Sequence, residues 1–467
     1  MRPITTLSTR KQRGLSDANG SRSPVNFMVL SCTYFLLDIR LGLYFVYGWH
    51  PNIFNLLDLE ERKNKLMSFL RDGEIAIVSF AETPVSRPSK EGETALTPNE
   101  YYAWAIELAL EKCNLQYSTI RNEGLGVTGS EYPHSEILSG EIAQDLGLSP
   151  RWLLRADQGG ASALSLISQA AFALHAGAID VAICAGADSP IGLGDNTPTV
   201  VSGAQQYVKN YEFPIGLGGP NNLFGLIANR HMKQYGTRQE QLGNIAVAQR
   251  SNAIRNPNAY LRKPFTLEEY MQSELISEPL KKLDCCIKVN GGLAVIMTRS
   301  DLAKELTDSP VYLRGFGGSF NYSFGDVSLP DITYSGFVDS TKFACNVAGV
   351  SSRDCSLYEL YDDYTVMVLM ELEDIGLCKK GEGGKFVEHS NFAPEGDVPM
   401  NTGGGLLSSG QIGLAGGFLP LVEAVRQLRG DASDRQVKDA KSALVTGGGG
   451  VAYGKSLGNC MTAILST

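Results

Sequence analysis

From Glu74 onward the apolar positions of this chain switch repeatedly between a strand pattern and a helix pattern. "IAIVSFAE" (Ile75 to Glu82) is a short, β-branched and almost wholly apolar run, as expected of a strand buried on both faces. A polar stretch then reaches Thr97, and "TPNEYYAWAIELALEKCNL" carries apolar residues at helical spacing. Three residues mark its start: Thr97 at the N-cap, Pro98 at the first helical position and Glu100 at the capping-box position. "GLGVTGS" then predicts a strand, "GASALSLISQAAFALHAG" a helix of small residues, and "IDVAICAGAD" a second buried strand. Such alternation predicts an α/β protein with a mostly parallel sheet covered on both faces.

The same theme returns later in the chain. "VYLRGFGGS" opens a second half, and "YTVMVLMELEDIGL" is matched with the helix that ends in "IELALEKCNL". "GGFLPLVEAVRQLRG" parallels "SALSLISQAAFALHAG", and "SALVTGGGG" parallels "DVAICAGAD". These pairs predict an internal duplication, with halves at 67–310 and 311–467 packed as one layered unit. A loop-rich insertion at about 190–275, with helices of its own such as "TRQEQLGNIAVAQRSNA", is expected over one end. Residues 1–66 lack this patterning. Their apolar run at 25–37 is broken by Asp38 and Arg40 and falls short of the ~20 residues that span a bilayer. They are expected to be a disordered or non-native extension ahead of a core starting near Met67; the alternative is a membrane-associating or targeting segment.

A formal charge of −9 gives no basic face for sequence-independent nucleic-acid binding. Glycine accounts for 51 of 467 residues, above the typical ~7%. Its clustering within patterned stretches suggests close backbone approaches rather than linkers. The nine cysteines lack regular spacing, and the adjacent pair Cys285-Cys286 suits neither a zinc site nor a redox CxxC. The five histidines form no metal-ligand motif, so no metal is expected. Unpaired cysteine usage predicts reduced thiols and a cytoplasmic setting.

Two stretches carry candidate chemistry. Tyr361-Asp362-Asp363-Tyr364 precedes the apolar helical run, and its acids are expected to serve as N-cap and first-turn carboxylates of that helix. Gly159, Gly160, Ala161, Ser162 and Ala163 leave another helix start nearly bare. Its amides could face a ligand, or the helix could pack tightly on its duplicate, and the two readings are compatible.

From about Ile75 to its end, the chain resembles the thiolase superfamily, in the sterol-carrier-protein-x and lipid-transfer-protein branch. The resemblance rests on five segments in family order: "GGASALSLISQAAFALHAGAIDVAICAGAD", "NPNAYLRKPFTLEEYMQSELISEPLKKLDCCIKVNGGLAVIMT", "YDDYT", "NTGGGLLSSGQIGLAGG" and "TGGGG". It implies a thiolase-like fold, with duplicated βαβαβαββ halves in a layered αβαβα arrangement, coenzyme A thioesters as substrates, and a homodimer.

The resemblance also exposes departures. Gly160 stands where the family has its nucleophilic cysteine, and Gly410-Gln411-Ile412 replaces the Gly-His-Pro loop. The second cysteine, expected near Val445-Thr446, is missing. Ser162 has no visible base to activate it, and Cys184, Cys345 and Cys460 fall elsewhere, as core residues. Tyr361 occupies the histidine position of the branch's His-Asp-x-Phe-Thr motif. Relatives with glycine and tyrosine at these two places are retro-aldolases that cleave β-hydroxyacyl-CoA thioesters together with a small OB-fold partner. They carry a second tyrosine near the position of Gln411.

The resemblance therefore implies C–C cleavage of an acyl-CoA, with Tyr361 and Gln411 as catalytic candidates. The amides of Gly160, Ala161, Gly447, Gly448 and Gly449 would stabilise the enolate oxygen. A thiolase-like acetyl-CoA acetyltransferase with an unusual site, or a non-catalytic CoA- or lipid-binding subunit, are the alternatives. No covalent cofactor is expected; coenzyme A enters as part of the substrate, and neither nucleic acid nor a membrane span is implied. "CKKGEGGKF" reads as a glycine turn with solvated lysines, which could also meet the CoA phosphates.

Overall fold

Seven of the eight residues of β1 (Ile75–Glu82) are buried, as its apolar run requires. The computed structural model describes residues 67–88, 95–129, 137–191, 210, 213–217, 219–320, 331–451 and 456–467; the expected extension at 1–66 lies outside them. The remaining strands are β2 (Gly124–Thr128), β3 (Trp152–Arg155), β4 (Val181–Asp188), β5 (Leu275–Ser277), β6 (Leu280–Lys281), β7 (Gly291–Arg299), β8 (Val311–Ser319), β9 (Leu357–Glu359), β10 (Ser442–Val451) and β11 (Leu457–Ser466). β5 and β6 form a small separate hairpin, and the other nine make one sheet in the order β3-β2-β4-β7-β1-β8-β11-β10-β9.

That order carries the duplication. β7 enters between β4 and β1, and β11 enters between β10 and β8, each antiparallel to both neighbours. The parallel pairs are β2 with β3, β2 with β4, and β9 with β10. The sheet is thus mixed rather than mostly parallel. The final strand of the second half, β11, returns directly from β10 and so pairs antiparallel with it, whereas β7 is reached only after the helices Pro220–Tyr235, Gln239–Ile254 and Leu267–Gln272. The halves meet where β1 joins β8 through only Ala76↔Tyr312 and Ile77↔Val311.

The helices that matter here are α1 (Pro98–Glu111), α2 (Ser162–His175), α3 (Gln239–Ile254), α4 (Phe337–Ala348), α5 (Thr365–Asp374), α6 (Gly405–Ser409) and α7 (Phe418–Arg429). The capping box of α1 forms as its sequence predicts, with the Thr97 side chain accepting from the Glu100 amide and the Glu100 carboxylate accepting from the Thr97 amide. α1 packs on β1, β4 and β7, and α4 packs on β8 and β11. α2 and α7 touch strands of both halves and each other, so they form the middle layer of an αβαβα stack. Phe418 to Leu428 of α7 are all buried.

Two expectations need correction. The duplicate of α1 is α4, since each follows the first strand of its half; α5 instead follows β9. Apolar periodicity identifies a helix but not the strand it follows. The "CKKGEGGKF" stretch is not merely a solvated turn. Residues Gly383–His389 are helical, and Lys380 is nearly buried, with its ammonium 2.6 Å from Asp374 and 3.1 Å from Glu373. Among the described residues no helix is long and apolar enough to cross a membrane.

Candidate active site

The chain leaves β9 at Glu359 and reaches Tyr361 two residues later, at the carboxyl end of a parallel strand. Two bonds from backbone amides to side chains fix this exit: Leu360 N–H donates to Asn401 Oδ1 at 2.7 Å, and Tyr361 N–H donates to Thr446 Oγ1 at 2.9 Å. The Thr446 hydroxyl in turn donates to Glu371 Oε2 at 2.5 Å. Burial holds the Glu371 carboxyl well above its ordinary range. Tyr361 is 3% exposed.

The ring of Tyr361 lies against Gly160. A Cβ at position 160 would fall 2.1 Å from both Cε2 and Cζ of that ring, and 2.4 Å from the carbonyl oxygen of Gly448. No side chain fits there while Tyr361 keeps its place. The bare start of α2 thus serves close packing. A Cβ on Gly447 would come within 2.7 Å of Gly160 O, one on Gly449 within 2.9 Å of Gly159 Cα, and one on Gly417 within 1.9 Å of Gly160 O. Ala161 is fully buried in the same contact zone. Gly447, Gly448 and Gly449 are paired with Met461, Cys460 and Asn459 of β11. Amides of an antiparallel strand alternate sides, so the three cannot all point at one ligand.

Gln411 arrives on the loop after α6. Its N–H donates to Ile287 O at 2.7 Å, and its carbonyl accepts from Val289 N–H at 3.0 Å, which ties the loop to the chain entering β7. Its side-chain amide nitrogen donates to the Tyr361 phenol oxygen at 2.8 Å and to Asp363 Oδ1 at 2.5 Å. The Gln411 Oε1 atom is buried and has no protein partner among the described residues.

Asp362 and Asp363 do not cap the helix that follows them. Tyr364 is the N-cap of α5, with no side-chain cap bond and no acid in the first turn. Asp362, fully buried, accepts from Leu406 N–H at 2.7 Å and Leu407 N–H at 3.1 Å, so it holds the start of α6. The chain bends at Asp363, and the two acids take different partners. Asp363 faces the site: Oδ1 receives Gln411 and, at 3.7 Å, the Cys286 thiol. Burial pushes its pKa up to about 6. Burial, and next the Asp363 charge, push Tyr361 well above the ordinary phenol range. Cys286 is likewise driven up by burial and then by Asp363, so it stays a thiol. Tyr364 stacks on Phe224 at 4.3 Å between ring centroids, and its hydroxyl donates to Asn221 Oδ1 at 2.6 Å.

The structure thus gathers Tyr361, Gln411, Gly160, Ala161 and the Gly447–Gly449 run into one site. It adds Asp363, Cys286, Thr446 and Glu371. Asp363 was visible in sequence only as one of two adjacent acids, and Glu371 only as a charge inside an apolar run. Cys286 carried no positional signal. Among the described residues no group of histidine, cysteine and acidic side chains is arranged to hold a metal.

Duplicated halves around two buried helices, with glycine runs meeting at a helix start, define the thiolase class of fold. Residues 75–293 match the family described as thiolase, N-terminal domain, and residues 321–467 match the thiolase C-terminal domain-like family. The chain belongs to the thiolase family, in its sterol-carrier-protein and lipid-transfer branch. It is 33% identical over 351 residues to an acetyl-CoA acetyltransferase of Methanothermobacter thermautotrophicus, covering 74% of this chain and 88% of that protein. It is 31% identical over 392 residues to a steroid side-chain-cleaving aldolase of Thermomonospora curvata, covering 81% and 96%. The solved Ltp2-ChsH2(DUF35) aldolase superposes with a TM-score of 0.70 at 28% identity, covering 85% of this chain and 98% of that one.

Proposed function

We propose that the protein catalyses retro-aldol cleavage of a β-hydroxyacyl-CoA, releasing a carbonyl compound and a shorter acyl-CoA. The observation that carries this reading is the Tyr361 ring, which fills the space a side chain at position 160 would need. A covalent acyl-enzyme at that position is sterically closed, whereas aldol cleavage needs none. It needs a group to take the 3-hydroxyl proton and donors for the enolate oxygen. Tyr361, held by Gln411, is assigned the first role. Amides of Gly160 and Ala161, with those of the Gly447–Gly449 run that face away from β11, are assigned the second. The similarity to a steroid side-chain-cleaving aldolase supports a lipid-like acyl group.

Coenzyme A is then part of the substrate rather than a resident cofactor. A small OB-fold partner and a homodimeric assembly complete the reading; the partner finds support in the aldolase complex this chain resembles. A cytoplasmic setting agrees with the free state of the eight described cysteines. The halves are assigned to 67–310, with its insertion at about 190–275, and to 311–467.

The acetyl-CoA acetyltransferase similarity makes acyl transfer the competing reading. A time course with a steroid-side-chain β-hydroxyacyl-CoA, with and without a co-purified partner, separates the two. Appearance of a ketone and a shorter acyl-CoA is expected. Thiolysis of a 3-ketoacyl-CoA without any cleavage would sink the lyase assignment.

A further inference from the structure

Tyr361 is a poor base by itself, because its surroundings favour the neutral phenol. Its hydrogen-bond geometry says where the proton can go. Gln411 Nε2 is a donor only, so the phenol oxygen is the acceptor in the 2.8 Å bond between them. The phenol's own hydrogen is left to point elsewhere. One nitrogen joins the phenol to Asp363: Gln411 Nε2, which donates to the phenol oxygen, also donates to Asp363 Oδ1 at 2.5 Å. The Cys286 thiol approaches this oxygen at 3.7 Å, and Cys286 N–H donates to Asp363 O at 3.0 Å, which pins the residue in place.

Resting on the lyase reading above, we propose that Asp363 is the terminal proton acceptor of the site. The 3-hydroxyl proton passes to the Tyr361 oxygen as the phenol's proton passes to the Asp363 carboxylate. In that step the substrate O–H bond breaks and the C3=O bond forms. The C2–C3 bond breaks, and its electron pair moves into the thioester enolate. The proton held on Asp363 returns through Tyr361 to C2, giving the shorter acyl-CoA and restoring the carboxylate. The sequence is redox-neutral and requires no co-reactant. Asp363 touches the substrate only through Tyr361, so it is a positioning and proton-holding residue.

The titratable groups that face Asp363 are Tyr361, Asp362 and Tyr364 from its own segment and Cys286 from the strand-entry loop; Gln411 is the neutral bridge. A carboxyl with a pKa near 6 is mostly ionised at neutral pH yet far more basic than an exposed aspartate.

The test uses the full chain, with its partner where one co-purifies, and a steroid-side-chain β-hydroxyacyl-CoA. The kcat of unsubstituted protein is expected to fall on the acid side, with an apparent pKa near that of Asp363. Asp363→Asn is expected to lower kcat roughly 100-fold, with KM changed less, and to abolish the acid limb. Asp363→Glu is expected to restore part of the rate and the limb. If Asp363→Asn keeps the acid limb and a rate within a few-fold of the unsubstituted protein, the proposal is overturned while the lyase reading stands. If the unsubstituted protein cleaves no β-hydroxyacyl-CoA, both fall. Circular dichroism of Asp363→Asn separates misfolding from loss of the acceptor. If that variant is unfolded, the proposal is read from Asp363→Glu: a partly retained rate with an acid limb supports it, and a rate that no longer falls on the acid side overturns it.

Discussion

At position 160 a single hydrogen takes the place of a side chain because the Tyr361 ring already occupies that volume. Gly160→Ala is therefore expected to cost about 1–3 kcal/mol by overpacking, read as a lowered urea midpoint. In the Tyr361→Ala background the same change should cost much less, and a double-mutant cycle measures the difference. Tyr361→Phe keeps the ring and the packing but removes the proton route, so cleavage should drop at least 100-fold with little change in stability. Asp363 makes a distinct prediction about stability. Its folded pKa of about 6 lies above the ordinary aspartate value. The folded state therefore holds the proton more tightly, and stability falls as pH rises through the interval from about 4 to 6. Asp363→Asn should be the more stable protein at pH 7, by up to about 3 kcal/mol. The advantage should vanish below pH 4, and paired thermal melts across that range check the sign. Nothing in the sequence distinguished Asp363 from Asp362, because adjacency does not tell which partner each residue meets once the chain bends.

At the scale of elements, α6 depends on a carboxylate brought from another segment. Its five residues are too few for a stable free helix, and its first amides are satisfied by Asp362 rather than by a local cap. Asp362→Ala leaves two buried donors without an acceptor, and a loss of about 2–4 kcal/mol is expected. Gln411 follows α6 directly, so the same change should also lower cleavage by displacing the amide that holds Tyr361. α1 behaves in the opposite way. Its capping box lies wholly within Thr97 to Glu100, and for that reason it was legible before any tertiary contact was known. α5 was legible as a helix, but its partner in the duplication was misassigned, because the periodicity of a fully buried helix carries no label for its neighbours. The reverse holds at the ends of β4 and β10, where helix and strand are consecutive in both halves and the matching α2–β4 and α7–β10 pairs were visible from pattern alone.

At the scale of the molecule, a buried ionic network ties the halves together. Arg426 on α7 pairs with Glu423 and reaches Glu82 at the end of β1, while Arg435 Nε meets Glu423 Oε1 at 3.0 Å. Thr402 bridges Glu359 at 2.7 Å and Glu423 at 3.1 Å. Burial alone would raise the Glu423 carboxyl, but the charges of Arg426 and Arg435 prevail and hold it at about 2. Its contribution to stability is therefore present above the ordinary glutamate range and is lost as pH falls toward 2. Arg426→Ala should destabilise by about 3 kcal/mol or more and shift acid unfolding to higher pH, which a pH titration of circular dichroism would register. The alternation of strands and helices, the duplication, the family, and the loss of a cysteine and a histidine from their usual positions could all be read along the chain. Those features are local or periodic, so they are written in consecutive residues. Folding in three dimensions was needed to show that Tyr361 fills the space beside Gly160, that the neighbouring acids serve different partners, and that Gln411 links the phenol to Asp363. Each of these depends on segments between about 40 and 200 residues apart meeting in a close-packed interior, where a contact is set by shape and not by spacing along the chain.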